Sequence, residues 1–136
     1  MNSCSNHNTL SIGHRGAKGY VAENTYESIS KAIELGVDGI EIDVFKCASG
    51  ELVLFHDKNL KELTGESGLI ENLNIRELEQ FLVLGKYKIP TLTDVLTRIE
   101  TPLFVNIELK GLNTAQSTSK IIKDLSKNTL WSKEHF

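Results

Sequence analysis

Cysteine is scarce in this chain of 136 residues, with only Cys4 and Cys47 present. Their separation fits no metal-binding spacing and supports no disulfide framework. Basic runs are missing and the formal net charge is −3, so nothing points to a nucleic-acid partner. No apolar run is long enough to cross a bilayer, so stable membrane insertion is not expected. The first residues, Met1 to Asn8, have neither the basic nor the apolar stretch of a secretory signal, which makes a cytoplasmic place the default expectation. Residues 1–9 read as a flexible polar end in which Cys4 and His7 are bystanders. Internal repeats and low-complexity segments are also lacking. The remaining composition, 40% hydrophobic and 24% charged, is that of one soluble globular domain with a modest core.

Hydrophobic periodicity along the chain alternates between two and about 3.6 residues. Leu10 to Gly13 reads as a strand, and Thr25 to Leu35 as a helix with Asn24 as N-cap, Glu27 completing a capping box and Gly36 as its stop. Ile29, Ala32 and Ile33 are the expected buried stripe. Gly39 to Phe45 and Leu52 to Phe55 read as strands, joined by the turn Ala48-Ser49-Gly50. That turn is too short for a parallel crossover, which needs a dozen or more residues, so the pair makes a tight connection or breaks the alternation. A helix is predicted from Ile75 to Leu82 behind Asn74, and another from Thr91 to Ile99 with Leu92, Val95, Leu96 and Ile99 facing inward. Phe104 to Leu109 is a fourth strand, and residues from Thr114 to Lys127 form a last helix. This order predicts an α/β fold with a largely parallel sheet.

The chemistry gathers at strand ends. In Glu41-Ile42-Asp43 two carboxylates share one strand face while Ile40, Ile42 and Val44 share the other. Two anions side by side on a half-buried face repel, and a hard cation is the simplest way to stabilise them. Asn106, Glu108 and Lys110 repeat the pattern, so Glu41, Asp43 and Glu108 are candidate oxygen ligands for Mg²⁺ or Ca²⁺. His14 and His56 supply imidazoles, the side chains that exchange protons near neutral pH. Arg15 and Lys110 supply cations for an anionic oxygen. Such a set is suited to cleaving a phosphoryl ester. Each element alone has a plainer reading: a solvated Glu-x-Asp face, a satisfied strand-end histidine, or a turn at His56-Asp57. Four strand ends carrying matched groups favour the joint reading.

The ordered motifs Gly13-His14-Arg15-Gly16, Glu23-Asn24-Thr25, Glu41-Ile42-Asp43, His56-Asp57, Pro90-Thr91-Leu92 and Glu108-Leu109-Lys110 resemble those of the glycerophosphodiester phosphodiesterases. The resemblance runs from about Ile12 to Gly111. It implies a TIM-type (β/α) barrel and hydrolysis of glycerophosphodiesters to glycerol 3-phosphate and an alcohol. By the same resemblance, Glu41, Asp43 and Glu108 would hold the divalent metal, His14 and His56 would be the acid–base pair, and Arg15 and Lys110 would contact the phosphate. Glu23 and Asn24 would shape the first loop, Asn24 mainly as a helix cap. Two departures stand out: Ala22 replaces the usual Pro before Glu-Asn-Thr, and Asp94 stands where Glu is usual.

A complete barrel of this kind takes on the order of 200 residues or more. Residues 10–136 are therefore expected to form the N-terminal half of such a domain, about four strand–helix units, as a truncated copy. Trp131 and Phe136 are expected to begin a fifth strand or its loop. Open sheet edges make self-association an expectation. Two other readings remain: an inactive fragment or pseudoenzyme that at most binds metal or a partner chain, and a phospholipase C- or D-like lipid phosphodiesterase.

Overall fold

The computed structural model describes residues 9–128 and 130–136. The expected flexible end, with Cys4 and His7, lies outside the described residues except for Thr9. The sheet is built around β2 (Gly39–Lys46). β1 (Ile12–His14) and β6 (Phe104–Leu109) run parallel to it, with His14 opposite Glu41, Glu41 opposite Asn106 and Asp43 opposite Glu108. β3 (Leu52–Leu54) pairs with Val44 to Lys46 in the antiparallel sense. Val44 has both Leu54 and Leu109 as partners, so β1 and β3 lie end to end along one edge of β2 and β6 along the other. Four expected strands thus share one sheet. Three of them are parallel, and the third in sequence folds back because its turn is too short for anything else.

Helices cover the face carrying Ile40, Ile42 and Val44. α1 (Tyr26–Glu34), α4 (Leu92–Arg98) and α5 (Thr114–Asn128) bring Ile29, Ala32, Leu92, Val95, Leu96 and Leu125 onto that aliphatic row. α4 starts where expected, with Thr91 accepting from Asp94 N–H at 3.1 Å. The stripe expected on α1 differs in one member. Ile33 is 38% exposed, and the buried residue is Ser28, which packs on the β1–α1 loop.

A second core fills the opposite face beyond the carboxylates. Phe45 and Cys47 continue the row of Glu41 and Asp43 and pack with Val53, Phe55, Leu60, Ile70, Leu78 and Ile89. Most of this core comes from the excursion between β3 and α4. It contains α2 (Lys61–Thr64), a 3-10 turn at Ile70–Asn72, α3 (Ile75–Leu78) and a hairpin of β4 (Leu82–Val83) with β5 (Tyr87–Lys88). α3 is shorter than its predicted span. Its Asn74–Glu77 capping box is present, but Leu82 belongs to the hairpin, whose turn puts Leu84 and Gly85 both at positive φ. Trp131 starts no fifth strand. It is 3% exposed, its Nε1 donates to the Leu96 carbonyl at 2.8 Å, and Lys133–His135 form a 3-10 turn beyond it.

Candidate active site

In-register parallel pairing sets the site. Neighbours across a parallel ladder point to the same face, so β1, β2 and β6 deliver His14, Glu41, Asp43 and Glu108 to one side of the sheet. One ligand oxygen each from Glu41, Asp43 and Glu108 lies within 4.8 Å of the others. Two oxygens on opposite sides of one Ca²⁺ stand about 4.6–5.2 Å apart, so this spacing fits a shared coordination sphere. Asp43 is fully buried, and its Oδ1 makes no hydrogen bond. A buried carboxylate oxygen without a hydrogen bond is costly unless a cation faces it. Lys110 Nζ faces it only as an ion pair outside hydrogen-bond distance, which leaves the oxygen able to take a closer cation. The three residues therefore fit a hard divalent ion.

Two cations flank the acids. Lys110 Nζ is 2.7 Å from Glu108 Oε1 and 3.6 Å from Asp43 Oδ1. The hydrogen bond to Glu108 raises the Lys110 ammonium above its usual value, and the same bond lowers the Glu108 carboxyl, with smaller contributions that include the field of His56. Arg15 Nε is 3.4 Å from Asp43 Oδ2, and its Nη1 is 2.7 Å from Glu23 Oε1. Arg15 sits at φ +51, a strained region for a residue with a Cβ. Its own main chain holds it there: the N–H donates to Glu41 Oε2 at 3.0 Å, and the carbonyl accepts from Asn24 N–H and the Ser28 hydroxyl.

The histidines stand on either side. His14 is well exposed, with Nε2 3.9 Å from Glu41 Oε2. His56 arrives by a route that strand order alone does not reveal. β3 runs antiparallel, Phe55 N–H donates to the Asp43 carbonyl at 3.1 Å, and the chain thus returns His56 to the level of the carboxylates. His56 Nδ1 lies 2.7 Å from Asp57 Oδ1, a carboxylate acceptor that favours the proton on Nδ1 and leaves Nε2 as the nitrogen without that partner. Arg15, Lys110 and His14 thus pair with the acids, and β3 brings His56 back toward them.

Asn24 is the correction. It does not cap α1. Thr25 does, accepting from Ser28 N–H at 3.1 Å, while Asn24 turns inward at φ +54 and bonds Asp43. The local signal favours Asn24, but Asn also tolerates a left-handed backbone, and here that tolerance lets it turn inward while Thr25 takes the cap. Lys18, which pairs with Glu23 Oε2 at 2.9 Å, was missed altogether. No local pattern marks it. Burial tends to raise the Glu23 carboxyl, but hydrogen bonds from Lys18 and Arg15 outweigh that and hold it below its ordinary value.

A family profile described as glycerophosphoryl diester phosphodiesterase matches residues 14–133, which include every one of these groups. The chain belongs to that family. The glycerophosphodiester phosphodiesterase of Caldanaerobacter subterraneus subsp. tengcongensis is 36% identical over 111 residues, covering 76% of this chain and 46% of that protein. A crystal structure of a glycerophosphodiester phosphodiesterase from Thermotoga maritima matches with a TM-score of 0.78 at 35% identity, over 87% of this chain and 51% of that one. An Oleispira antarctica phosphodiesterase, solved with the product sn-glycerol-3-phosphate, matches with a TM-score of 0.76 at 29% identity, over 93% of this chain and 54% of that one. The chain thus spans about half the length of the family members it matches. Its architecture is a partial (β/α) barrel.

Proposed function

We propose that this chain carries the catalytic half of a metal-dependent phosphodiesterase that hydrolyses glycerophosphodiesters to glycerol 3-phosphate and an alcohol. The observation that carries the proposal is the convergence of Glu41, Asp43 and Glu108 around a buried Asp43 Oδ1 that no hydrogen bond reaches, with Arg15 and Lys110 paired to Asp43 and His14 beside Glu41. Family membership supports the same chemistry.

In this proposal Glu41, Asp43 and Glu108 hold Mg²⁺ or Ca²⁺. Bound there, the ion supplies Lewis-acid stabilisation of charge on the phosphoryl oxygens. Arg15 and Lys110 orient the phosphate. Arg15 keeps its planar guanidinium in place through Glu23, and Lys110 acts as a point charge beside Glu108. His14 and His56 form the acid–base pair: one takes the proton of the nucleophile, either water directly or the glycerol 2-hydroxyl with water then opening the cyclic phosphate, and the other delivers a proton to the departing alkoxide. Asp57 favours the His56 tautomer that leaves Nε2 for that transfer. Residues 10–136 are assigned to the N-terminal half of the barrel domain. Water-soluble headgroup diesters and a cytoplasmic place of action belong to the same proposal, and no helix among the described residues is long and apolar enough to cross a membrane.

The test is release of glycerol 3-phosphate from glycerophosphocholine by the purified chain with Mg²⁺ or Ca²⁺, against a His14→Ala control. Release that stops on chelation and is restored by the ion is the expected result. Release no greater than from His14→Ala would move the chain to the inactive class that at most binds metal or a partner. Faster cleavage of lysophosphatidylcholine than of its deacylated counterpart would favour the lipid phosphodiesterase.

A further inference from the structure

Building on that reading of the site, we propose that Asn24 is a positioning residue that holds the Asp43 carboxylate in the orientation that turns one oxygen toward a divalent cation. Asn24 is 2% exposed and makes a two-point contact with residue 43. Its Nδ2 donates to Asp43 Oδ2 at 2.9 Å, and its Oδ1 accepts from the Asp43 N–H at 3.2 Å. Arg15 Nε pairs with the same Oδ2. One oxygen of the carboxylate is thus committed to the protein. The other, Oδ1, is buried without a hydrogen bond on the side of Lys110 and Glu108.

The two oxygens of a carboxylate are equivalent, so what has to be fixed is the plane of the group. The ion pairs to Arg15 and Lys110 alone leave the Asp43 carboxylate free to rock about its last torsion. The planar amide of Asn24 grips the side chain and the main chain of Asp43 together and removes that freedom. The ligand oxygen is then in place before any ion arrives. Asn24 is itself held, since its N–H donates to the Arg15 carbonyl at 3.0 Å and its left-handed backbone is one that Asn tolerates. Helix α1 does not depend on it, because Thr25 supplies the cap. Partners that orient a metal ligand commonly account for about 10- to 100-fold in metal affinity.

The test is calorimetric titration of the full chain with CaCl₂ and with MgCl₂, together with thermal unfolding with and without each salt. Asn24→Gly removes both contacts and adopts positive φ without strain. It is expected to bind either ion at least about tenfold more weakly than the parent, and to gain correspondingly less in unfolding midpoint from added salt. Asn24→Asp keeps size and backbone tolerance but faces Oδ2 with a second carboxylate. Its added charge alone would strengthen binding, whereas loss of the positioning donor weakens it. Weaker binding is expected. Parent-like affinity in Asn24→Gly, or tighter binding in Asn24→Asp, overturns the assignment, because a merely structural Asn24 would lower the midpoint equally with and without salt. If the parent takes up neither ion, the cation reading falls and this proposal with it. If the parent binds and Asn24→Gly binds as well, only the role of Asn24 falls.

Discussion

Asp43 is the residue on which the site turns. It is a fully buried carboxylate between Arg15, Lys110 and Asn24, and each neighbour compensates part of the desolvation of its charge. Arg15→Met leaves both Asp43 and Glu23 short of a counter-charge, and should lower unfolding free energy by about 3 kcal/mol in urea titration. His56→Ala touches no buried charge, so it should leave the unfolding midpoint near the parent's while reducing kcat/KM for glycerophosphocholine by about 10²- to 10⁴-fold. Glu23 gives a pH signature. Its carboxyl is held below the ordinary 4.5, chiefly by hydrogen bonds from Lys18 and Arg15 acting against the effect of burial. The folded state thus binds its proton less readily than the unfolded chain. That contribution to stability is complete above the ordinary value and is lost as pH falls through the lowered one. Glu23→Gln should therefore flatten the decline in stability between about pH 6 and pH 3, as followed by denaturant midpoints.

Among the elements, the β1–α1 connection is the most constrained. Arg15 and Gly16 are consecutive left-handed residues, and the backbone of residues 15–17 is pinned by Ser28, whose hydroxyl accepts from Ala17 N–H and donates to the Arg15 carbonyl. Gly16 is obligatory on two counts. Its φ is +80, and a Cβ there would meet Ser28 Oγ at 2.5 Å and the backbone of Ser28 and Ile29 within 2.8 Å. Gly16→Ala should destabilise the fold by about 1–3 kcal/mol, measured by urea unfolding, and should weaken cation binding through Arg15 and Glu41. The β2–β3 hairpin has a different part. By folding back it places His56 beside the acids, and it extends the sheet so that Phe45 and Cys47 seed the second core.

Across the whole molecule, the parallel sheet ends at β6, which pairs with β2 alone among the described strands. Phe104 and Leu109 on it are 42% and 45% exposed. Such an edge is a template for further strand pairing, so self-association is expected to rise with concentration. Phe104→Lys should increase the monomer fraction in light scattering coupled to size exclusion. At the other end of the chain, Trp131 ties the last segment to α4 through the Leu96 carbonyl and packs on Phe136 with ring centroids 5.2 Å apart.

Period-two and period-3.6 patterns were enough to locate β2, β6, α4 and α5 and to put Glu41, Asp43 and Glu108 on one face, because side-chain alternation is a local property of the backbone. The short Ala48-Ser49-Gly50 turn likewise excluded a parallel crossover, but left open whether a tight connection or a broken alternation would follow. Which strands are neighbours, and in what register, depends on contacts tens of residues apart. Folding therefore decided that Asp43 lies beside Glu108, that β3 returns His56 to the site, and that Trp131 is core. The same holds for Asn24: its local pattern reads as the cap of α1, whereas in the fold Thr25 caps the helix and Asn24 bonds the buried carboxylate of Asp43 across the loop.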